Sequence, residues 1–189
     1  MVSTESAKID LLNELKSYEP FDNTEKIELV RFINFLENNK NVYSRNNLVA
    51  HLTSSSWIVN KNKDKVFLIH HNIYNCWAPL GGHADDDTNL SHVAMKESQE
   101  ESGMENIKLL DKKILDISVM SVPEHVKNGK IVPLHFHFDV RYLLEADEKQ
   151  ESKIAEREVS AGKWFNVDEI KELNIDIMPI LKRVIQKVH

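Results

Sequence analysis

Three glutamates of one predicted helix, Glu97, Glu100 and Glu101, are the residues best suited to chemistry in this sequence of 189 residues. The spacing of apolar residues predicts an α-helix over about 88–102, and the helical projection is continued to residue 104. On that helix Glu97 and Glu101 lie within about 20° of the direction of Leu90, in the middle of the apolar stripe, and Glu100 lies at its edge. A solvated helix would instead carry its carboxylates on the polar face.

Carboxylates three or four positions apart on a helix are neighbours, with about 5–6 Å between their Cβ atoms. Two such charges repel each other by roughly 3 kcal/mol at an effective dielectric of ~20, and partial burial adds a desolvation cost. A counter-charge is therefore expected. The candidates are a hard divalent cation, which carboxylates and substrate phosphate oxygens bind well, and lysines or arginines on a surface helix. The apolar surroundings of Glu97 and Glu101 favour the cation.

The elements that position these glutamates follow from the periodicity of the chain. The runs LTSSSWIV and KVFLIHH, separated by the polar turn NKNKD, predict a β-hairpin over about 49–71. The short strand NCWAPL ends at Gly81-Gly82 before the glutamate helix, which Gly103 is placed to end. The runs ILDISVMSV, IVPLHFHFDVRYLL and VSAGKWFNV predict three further strands, and a helix over about 176–188 closes the chain. This order predicts an α+β class with a mixed β-sheet packed between helices.

The first 44 residues are rich in Lys, Glu, Asn and Leu and predict two helices. One begins near Thr4 and stops at Pro20. The second begins at Asp22 or the next residue, because Asp22 and Glu25 resemble a capping box. Its apolar stripe is expected to contain Ile27, Val30, Ile33 and Phe35/Leu36. We expect a helical N-terminal extension, residues 1–44, that docks on a main domain, with a substrate lid or a dimer arm as the alternative.

Composition limits the remaining possibilities. A 41% hydrophobic chain of this length suits one domain of ordinary size, expected at 45–189, plus the extension. There is no apolar run of 18 residues and no apolar segment at the N-terminus, so neither a membrane span nor a secretory signal is predicted. Cys76 is the only cysteine, which excludes an intramolecular disulfide and favours a cytoplasmic location. A net charge of −6 argues against non-specific nucleic-acid binding.

The segment from Gly81 to Met104 resembles a Nudix box, which reads Gly, five residues, Glu, seven residues, then Arg-Glu-U-x-Glu-Glu-x-Gly-U with U aliphatic. Gly82 begins the box, and its second half reads Lys96-Glu97-Ser98-Gln99-Glu100-Glu101-Ser102-Gly103-Met104. The flanking segments Trp77-x-Pro79-Leu80-Gly81-Gly82-His83, Glu158, Trp164-Phe165 and Asp168-Glu169 also resemble Nudix segments. The resemblance therefore extends beyond the box.

Three positions depart from the family pattern. Thr88 stands at the first Glu of the box, Lys96 at the Arg, and Ser98 at the aliphatic position. In the family the first Glu and the Arg mainly brace the loop against the helix. We expect one of the three aspartates at 85–87 to brace Lys96 instead, with the three helix glutamates left to bind metal.

The resemblance implies a Nudix-like α/β/α sandwich and hydrolysis of the diphosphate linkage of a nucleoside diphosphate linked to another moiety. It implies Mg²⁺ as cofactor, with Mn²⁺ as a substitute, and a small nucleotide-type diphosphate as the partner. By the same resemblance Glu97, Glu101 and the carbonyl of Gly81 are metal ligands, and Glu100 is a ligand or the general base. Glu158 is a second candidate base. A homodimer stays open, because dimers are common in the family.

Residues next to the box are candidates for substrate binding. Gly82 lets the backbone approach a ligand closely, and His83 follows it. In the strand IVPLHFHFDVRYLL, alternation places His135, His137, Asp139 and Arg141 on one face. That face either is simply polar and covered by the N-terminal helices, or lines a substrate cleft in which His137 or Arg141 contacts phosphate or base.

Other chemistries remain as alternatives. Nine histidines leave a transition-metal site open, although neither paired cysteines nor an HExxH spacing supports zinc. An isopentenyl-diphosphate-isomerase-like enzyme would share the fold and would need Cys76. A Nudix module that binds a nucleotide without cleaving it is favoured by Thr88, since that residue replaces a glutamate of the box.

Overall fold

A computed structural model describes residues 3–71, 75–127, 129–154, 159–173 and 177–189. The helices are α1 (Thr4–Lys16), α2 (Asn23–Asn38), α3 (Leu90–Ser102), α4 (Val167–Lys171) and α5 (Met178–Val188). The strands are β1 (Ala50–Val59), β2 (Lys65–His71), β3 (Cys76–Ala78), β4 (Gly81–His83), β5 (Ile107–Leu109), β6 (Asp116–Val122), β7 (His125–Lys127), β8 (Lys130–Val132), β9 (His135–Ala146) and β10 (Val159–Asn166). Over these ranges none of the helices has the length and apolar content needed to cross a bilayer.

The described strands pair in the order β10-β2-β1-β9-β5, with β3 on β2, β4 on β1 and β6 on β9, while β7 and β8 form a separate hairpin. The pairing of Ile58 with Phe67 and of Val59 with Val66 confirms the predicted hairpin of β1 and β2. The α+β class and the helical N-terminal segment are confirmed as well. The chain divides into two compact units, which interleave along the sequence: Met1–Ser54, His83–Leu90 and Ile117–Val140 form the first, and the remaining segments form the second.

In the first unit, α2 begins where the sequence predicts. The Asp22 side chain accepts a hydrogen bond from the backbone N–H of Glu25 at 2.7 Å. The Glu25 carboxylate in turn accepts from the N–H of Phe21 at 2.7 Å. The side chains of Asp22 and Glu25 therefore both stabilise the N-terminus of α2. In a capping box the second side chain accepts from the N–H of the capping residue, here Asp22, whereas Glu25 accepts from the N–H of Phe21.

The buried face of α2 differs from the predicted stripe. Ile27 and Val30 are 56% and 55% exposed, so the prediction is wrong at these two positions. Glu25 and Glu28 are buried instead, and Glu25 accepts a hydrogen bond from the backbone N–H of Ile117 in β6 at 3.3 Å. A pattern of hydrophobic residues cannot identify this face, because backbone donors make burial of the carboxylates tolerable.

The aromatic face of β9 packs against α2 in the same unit. The Phe138 ring stacks on Phe35 with 4.1 Å between centroids, and it meets Phe32 edge to face at 5.2 Å. Helix α2 therefore covers the face of β9 that carries Phe138. The first of the two alternatives in the sequence analysis instead had the N-terminal helices cover the polar face. On the polar face of β9 in this unit, His135 and Asp139 are buried as well, and His137 is half-buried.

The second unit has an apolar core and a buried charge cluster. The core consists of Trp57, Val59, Val66, Leu68, Phe165, Ile170, Leu181, Val184 and Ile185. Asp116 at the start of β6 is fully buried and accepts hydrogen bonds from Arg183, Arg141 and Lys187 at 2.8–3.2 Å. Burial alone would raise the pKa of Asp116, but the hydrogen bond from Arg183 and the charges of Arg141 and Lys187 hold that pKa below its ordinary value.

Gly103 ends α3 as predicted, in the left-handed region with a φ of +67°. A Cβ atom there would lie 2.4 Å from the backbone oxygen of Lys153, which cannot move without the chain.

We expect Gly103→Ala to lower the free energy of unfolding by about 2 kcal/mol or more, measured by urea denaturation. Gly129→Ala is the matched control, because φ is +74° and no atom lies within 4 Å of its Cβ position. Equal losses in the two variants would contradict the proposed clash.

Candidate active site

Two glutamates of α3 converge on the short strand β4. Glu97 and Glu101 are both half-buried. The backbone N–H of Gly81 donates a hydrogen bond to Glu101 Oε2 at 3.0 Å. The carboxyl carbon of Glu97 lies so close to Gly82 that a Cβ atom on this glycine would be 2.4 Å from it. The structure therefore brings Gly81 and Gly82 together with Glu97 and Glu101.

The third glutamate of the helix is placed differently. The side chain of Glu100 is 59% exposed, and the Lys96 ammonium lies 3.8 Å from its carboxylate. A pair this exposed contributes little to stability and leaves the carboxylate accessible to solvent. Glu158, the second candidate base, lies outside the described residues.

Buried serines of α3 form hydrogen bonds within the second unit. Ser98 is fully buried, and its hydroxyl lies 2.7 Å from the Ser56 hydroxyl and 2.6 Å from the carbonyl oxygen of Ala94. Ser102 donates in the same way to the carbonyl oxygen of Ser98 at 2.5 Å. Ser98 stands where the family has an aliphatic residue, and these hydrogen bonds make its burial tolerable.

The three aspartates of the loop before α3 have partners within the first unit. Asp85 forms a bidentate ion pair with Arg45, and the hydroxyl of Ser44 lies 3.4 Å from Asp86. Asp87 accepts a hydrogen bond from the backbone N–H of Asn89 at 2.9 Å. The partners seen in the first unit are thus Arg45, Ser44 and the backbone of Asn89, and the brace between Lys96 and an aspartate at 85–87 stays a prediction.

Arg141 lies in the buried charge cluster of the second unit. Its guanidinium donates to Asp116 at 3.2 Å and to the Ser55 hydroxyl at 3.0 Å, and the side chain is 4% exposed. A guanidinium with these partners supports β6 and β9 from inside the unit. The contact of Arg141 with phosphate or base stays a prediction.

His83 and His137 lie in the first unit, in a cluster of imidazoles. The centroids of their rings are 4.8 Å apart, and the ring of His51 is 5.1 Å from His83 and 5.0 Å from His137. Burial, together with the neighbouring histidines, lowers the pKa of His137 to about 2. His137 is therefore a neutral imidazole at neutral pH and does not offer a positive charge to phosphate.

No motif or spacing in the sequence marks His51 as a functional residue. It lies on β1, His83 on β4 and His137 on β9, so no local spacing links the three. The one signal in the sequence is its composition, since the chain contains nine histidines.

Comparisons with known proteins identify relatives of this chain. The family model for the NUDIX domain matches residues 50–188. A protein from Lactococcus lactis subsp. cremoris, described as a probable DHNTP pyrophosphohydrolase, is 31% identical over 148 residues, which are 78% of this chain and 84% of that protein.

Solved structures share the fold at lower identity. A hydrolase of the NUDIX family from Clostridium perfringens has a TM-score of 0.54 and 24% identity, covering 73% of this chain and 95% of that chain. The dihydroneopterin triphosphate pyrophosphohydrolase of E. coli has a TM-score of 0.56 and 12% identity, covering 72% and 94% of the two chains. Given the match over residues 50–188 and the relative that is 31% identical, this chain belongs to the Nudix hydrolase family.

Proposed function

We propose that this protein is a Mg²⁺-dependent pyrophosphohydrolase that cleaves the diphosphate linkage of a nucleoside diphosphate linked to another moiety. The convergence of Glu97 and Glu101 on Gly81-Gly82 carries this proposal. Two half-buried carboxylates beside the same backbone segment concentrate negative charge that a divalent cation can neutralise. Membership of the Nudix hydrolase family supports a reaction at a diphosphate bond.

The donor set fits magnesium. The carboxylates of Glu97 and Glu101, with the carbonyl oxygen of Gly81 as a third donor, are the hard oxygen ligands that Mg²⁺ prefers, with Mn²⁺ as a substitute. Bound there, the ion would neutralise phosphate charge and lower the pKa of a coordinated water. The hydrogen bond from Gly81 N–H orients Glu101 for this task.

The remaining roles are proton transfer from the attacking water and binding of the substrate. Glu100 is exposed beside the two ligands on the same helix, and we assign it the proton of the attacking water, with a place among the metal ligands as the alternative. Glu158 stays a second candidate for that proton. Gly82 and His83 are assigned to the substrate, because the glycine lets a diphosphate approach the backbone.

Gly82→Ala should separate the metal site from the stability of the fold. The added Cβ would meet the carboxyl end of Glu97, a flexible side chain that can move away. We expect a melting temperature close to that of the wild type, and about a tenfold rise in the Mg²⁺ concentration that gives half-maximal activity. An unchanged Mg²⁺ dependence would show that Glu97 is not a ligand in this position.

The substrate class is tested with a panel assayed for phosphate-containing products in the presence of Mg²⁺. The panel contains sugar nucleotides, dinucleoside polyphosphates, 8-oxo-nucleotides and dihydroneopterin triphosphate. The last is included because the relative that is 31% identical is described as a DHNTP pyrophosphohydrolase. Hydrolysis that stops when EDTA removes the metal supports the proposal.

Two other results would replace it. Tight binding of a panel member in calorimetry, without any product, would indicate a nucleotide-binding module. Protonation of isopentenyl diphosphate, lost in Cys76→Ser, would indicate the isomerase-like enzyme; Cys76 is half-buried on β3.

A further inference from the structure

We propose that His51, His83 and His137 form a binding site for a divalent transition metal of the zinc class, separate from the carboxylate site. Each residue offers a ring nitrogen, and the three nitrogens lie within 4.8 Å of one another. All three belong to the first compact unit. The inference does not depend on the proposed carboxylate metal site, since it uses none of the glutamates of α3; His83 is the one residue it shares with the proposed function, where that residue is assigned to the substrate.

The buried nitrogen of His51 is the strongest observation. His51 is 4% exposed, and its Nε2 has no hydrogen-bond partner among the described residues. An unsatisfied polar atom in a protein interior costs about 1–3 kcal/mol. A metal ion bound at Nε2 would remove that cost.

The hydrogen bonds around the cluster set the protonation of the rings. His51 Nδ1 lies 3.1 Å from the carbonyl oxygen of Asn47, which can only accept, so Nδ1 carries the proton and Nε2 the lone pair. Metal-binding histidines commonly donate their other ring N–H to a backbone carbonyl in this way. The tautomer that the backbone selects for His51 is therefore the one that a metal needs.

A hydrogen bond with His135 orients the ring of His137. His135 Nδ1 lies 2.8 Å from the carbonyl oxygen of Pro133, and its Nε2 lies 3.1 Å from His137 Nε2. In a neutral His135 ring, Nδ1–H donates to Pro133 and Nε2 accepts, so His137 Nε2–H is the donor. The Nδ1 lone pair of His137 is then left for a metal. The low pKa of His137 agrees with a neutral ring.

The distances need a small closure of the rings. Nitrogen ligands of a tetrahedral zinc ion lie at about 2.0–2.1 Å from the metal and hence about 3.4 Å apart. Nitrogens up to 4.8 Å apart must therefore approach by about 1 to 1.5 Å. Rotation of the half-buried rings of His83 and His137 can supply this movement.

The type of ligand selects the class of metal. Imidazole nitrogen suits Zn²⁺ and the neighbouring transition metals, whereas Mg²⁺ prefers oxygen. Three histidines leave the fourth tetrahedral position open, the arrangement of zinc sites that bind water or a substrate atom.

The test is a calorimetric titration of the full chain with Zn²⁺ while millimolar Mg²⁺ occupies oxygen sites. We expect one Zn²⁺ per chain. His83→Gln and His137→Gln should each weaken Zn²⁺ binding by about 100-fold or more, because each removes a ligand. These half-buried positions are chosen over His51, whose replacement can disturb the interior, and circular dichroism checks that both variants fold.

Two controls separate this site from others. His92→Gln removes an exposed histidine of α3 and should leave Zn²⁺ affinity unchanged. The double variant Glu97→Gln with Glu101→Gln should retain Zn²⁺ even if it loses all hydrolysis. The proposal is overturned if the wild type binds no Zn²⁺ under these conditions, if either histidine variant binds normally, or if the glutamate variant loses Zn²⁺.

Discussion

Replacement of Glu101 by glutamine is expected to lower kcat/KM for Mg²⁺-dependent hydrolysis by about 100-fold or more. Glutamine keeps the shape of the side chain, and its carbonyl oxygen can still accept the hydrogen bond that Gly81 N–H gives at 3.0 Å. The substitution therefore removes charge with little change in geometry. Metal binding that stabilises transition-state charge contributes several kcal/mol, and each 1.36 kcal/mol is a factor of about ten in rate.

The matched control is Glu105→Gln, which removes the same charge from an exposed position just beyond the end of α3. Its kinetics should equal those of the wild type. Glu100→Gln should also lose activity by orders of magnitude, and its dependence on Mg²⁺ concentration shows whether Glu100 binds metal or takes a proton. Undiminished turnover in the Glu101 variant would remove this residue from the site.

Asp116→Asn is expected to lower the free energy of unfolding by about 3–5 kcal/mol, because the change leaves buried cations without their counter-charge. The Asp116 carboxylate is fully buried. It accepts from Arg183 Nε at 2.8 Å, from Lys187 Nζ at 2.8 Å and from Arg141 at 3.2 Å. Asparagine has nearly the same volume, so the loss measures charge and hydrogen bonding. Urea denaturation monitored by tryptophan fluorescence provides the measurement.

Asp168→Asn provides the control for this prediction. Asp168 also forms an ion pair, with the Lys171 ammonium at 2.7 Å, but its side chain is 91% exposed. Water screens such a pair, so its removal should leave the unfolding curve unchanged within error. Similar losses in the two variants would show that burial does not determine the contribution of Asp116.

Local spacing predicted the elements that carry the candidate site. The 3.6-residue period placed a helix over 88–102, and the structure has one from Leu90 to Ser102. Alternation around a polar turn predicted the hairpin of β1 and β2. The preference for glycine just after the last residue of a helix predicted that α3 ends at Gly103. In each case the signal is local, because the residues that specify the element are within a few positions of one another.

Features that depend on distant partners were not predicted. The buried glutamates Glu25 and Glu28 of α2 satisfy backbone donors of a strand some 90 residues away. Asp116 is surrounded by cations from two other segments of the chain. A pattern read along one helix or strand contains no information on such partners.

The direct test of the carboxylate site is anomalous scattering from a crystal of this protein soaked in Mn²⁺. We predict an anomalous peak between α3 and β4, within bonding distance of carboxylate oxygens of both Glu97 and Glu101, and the loss of this peak in Glu101→Gln. A soaked crystal of active protein that shows no Mn²⁺ at these two carboxylates, or shows them bound to lysine or arginine, would contradict the assignment.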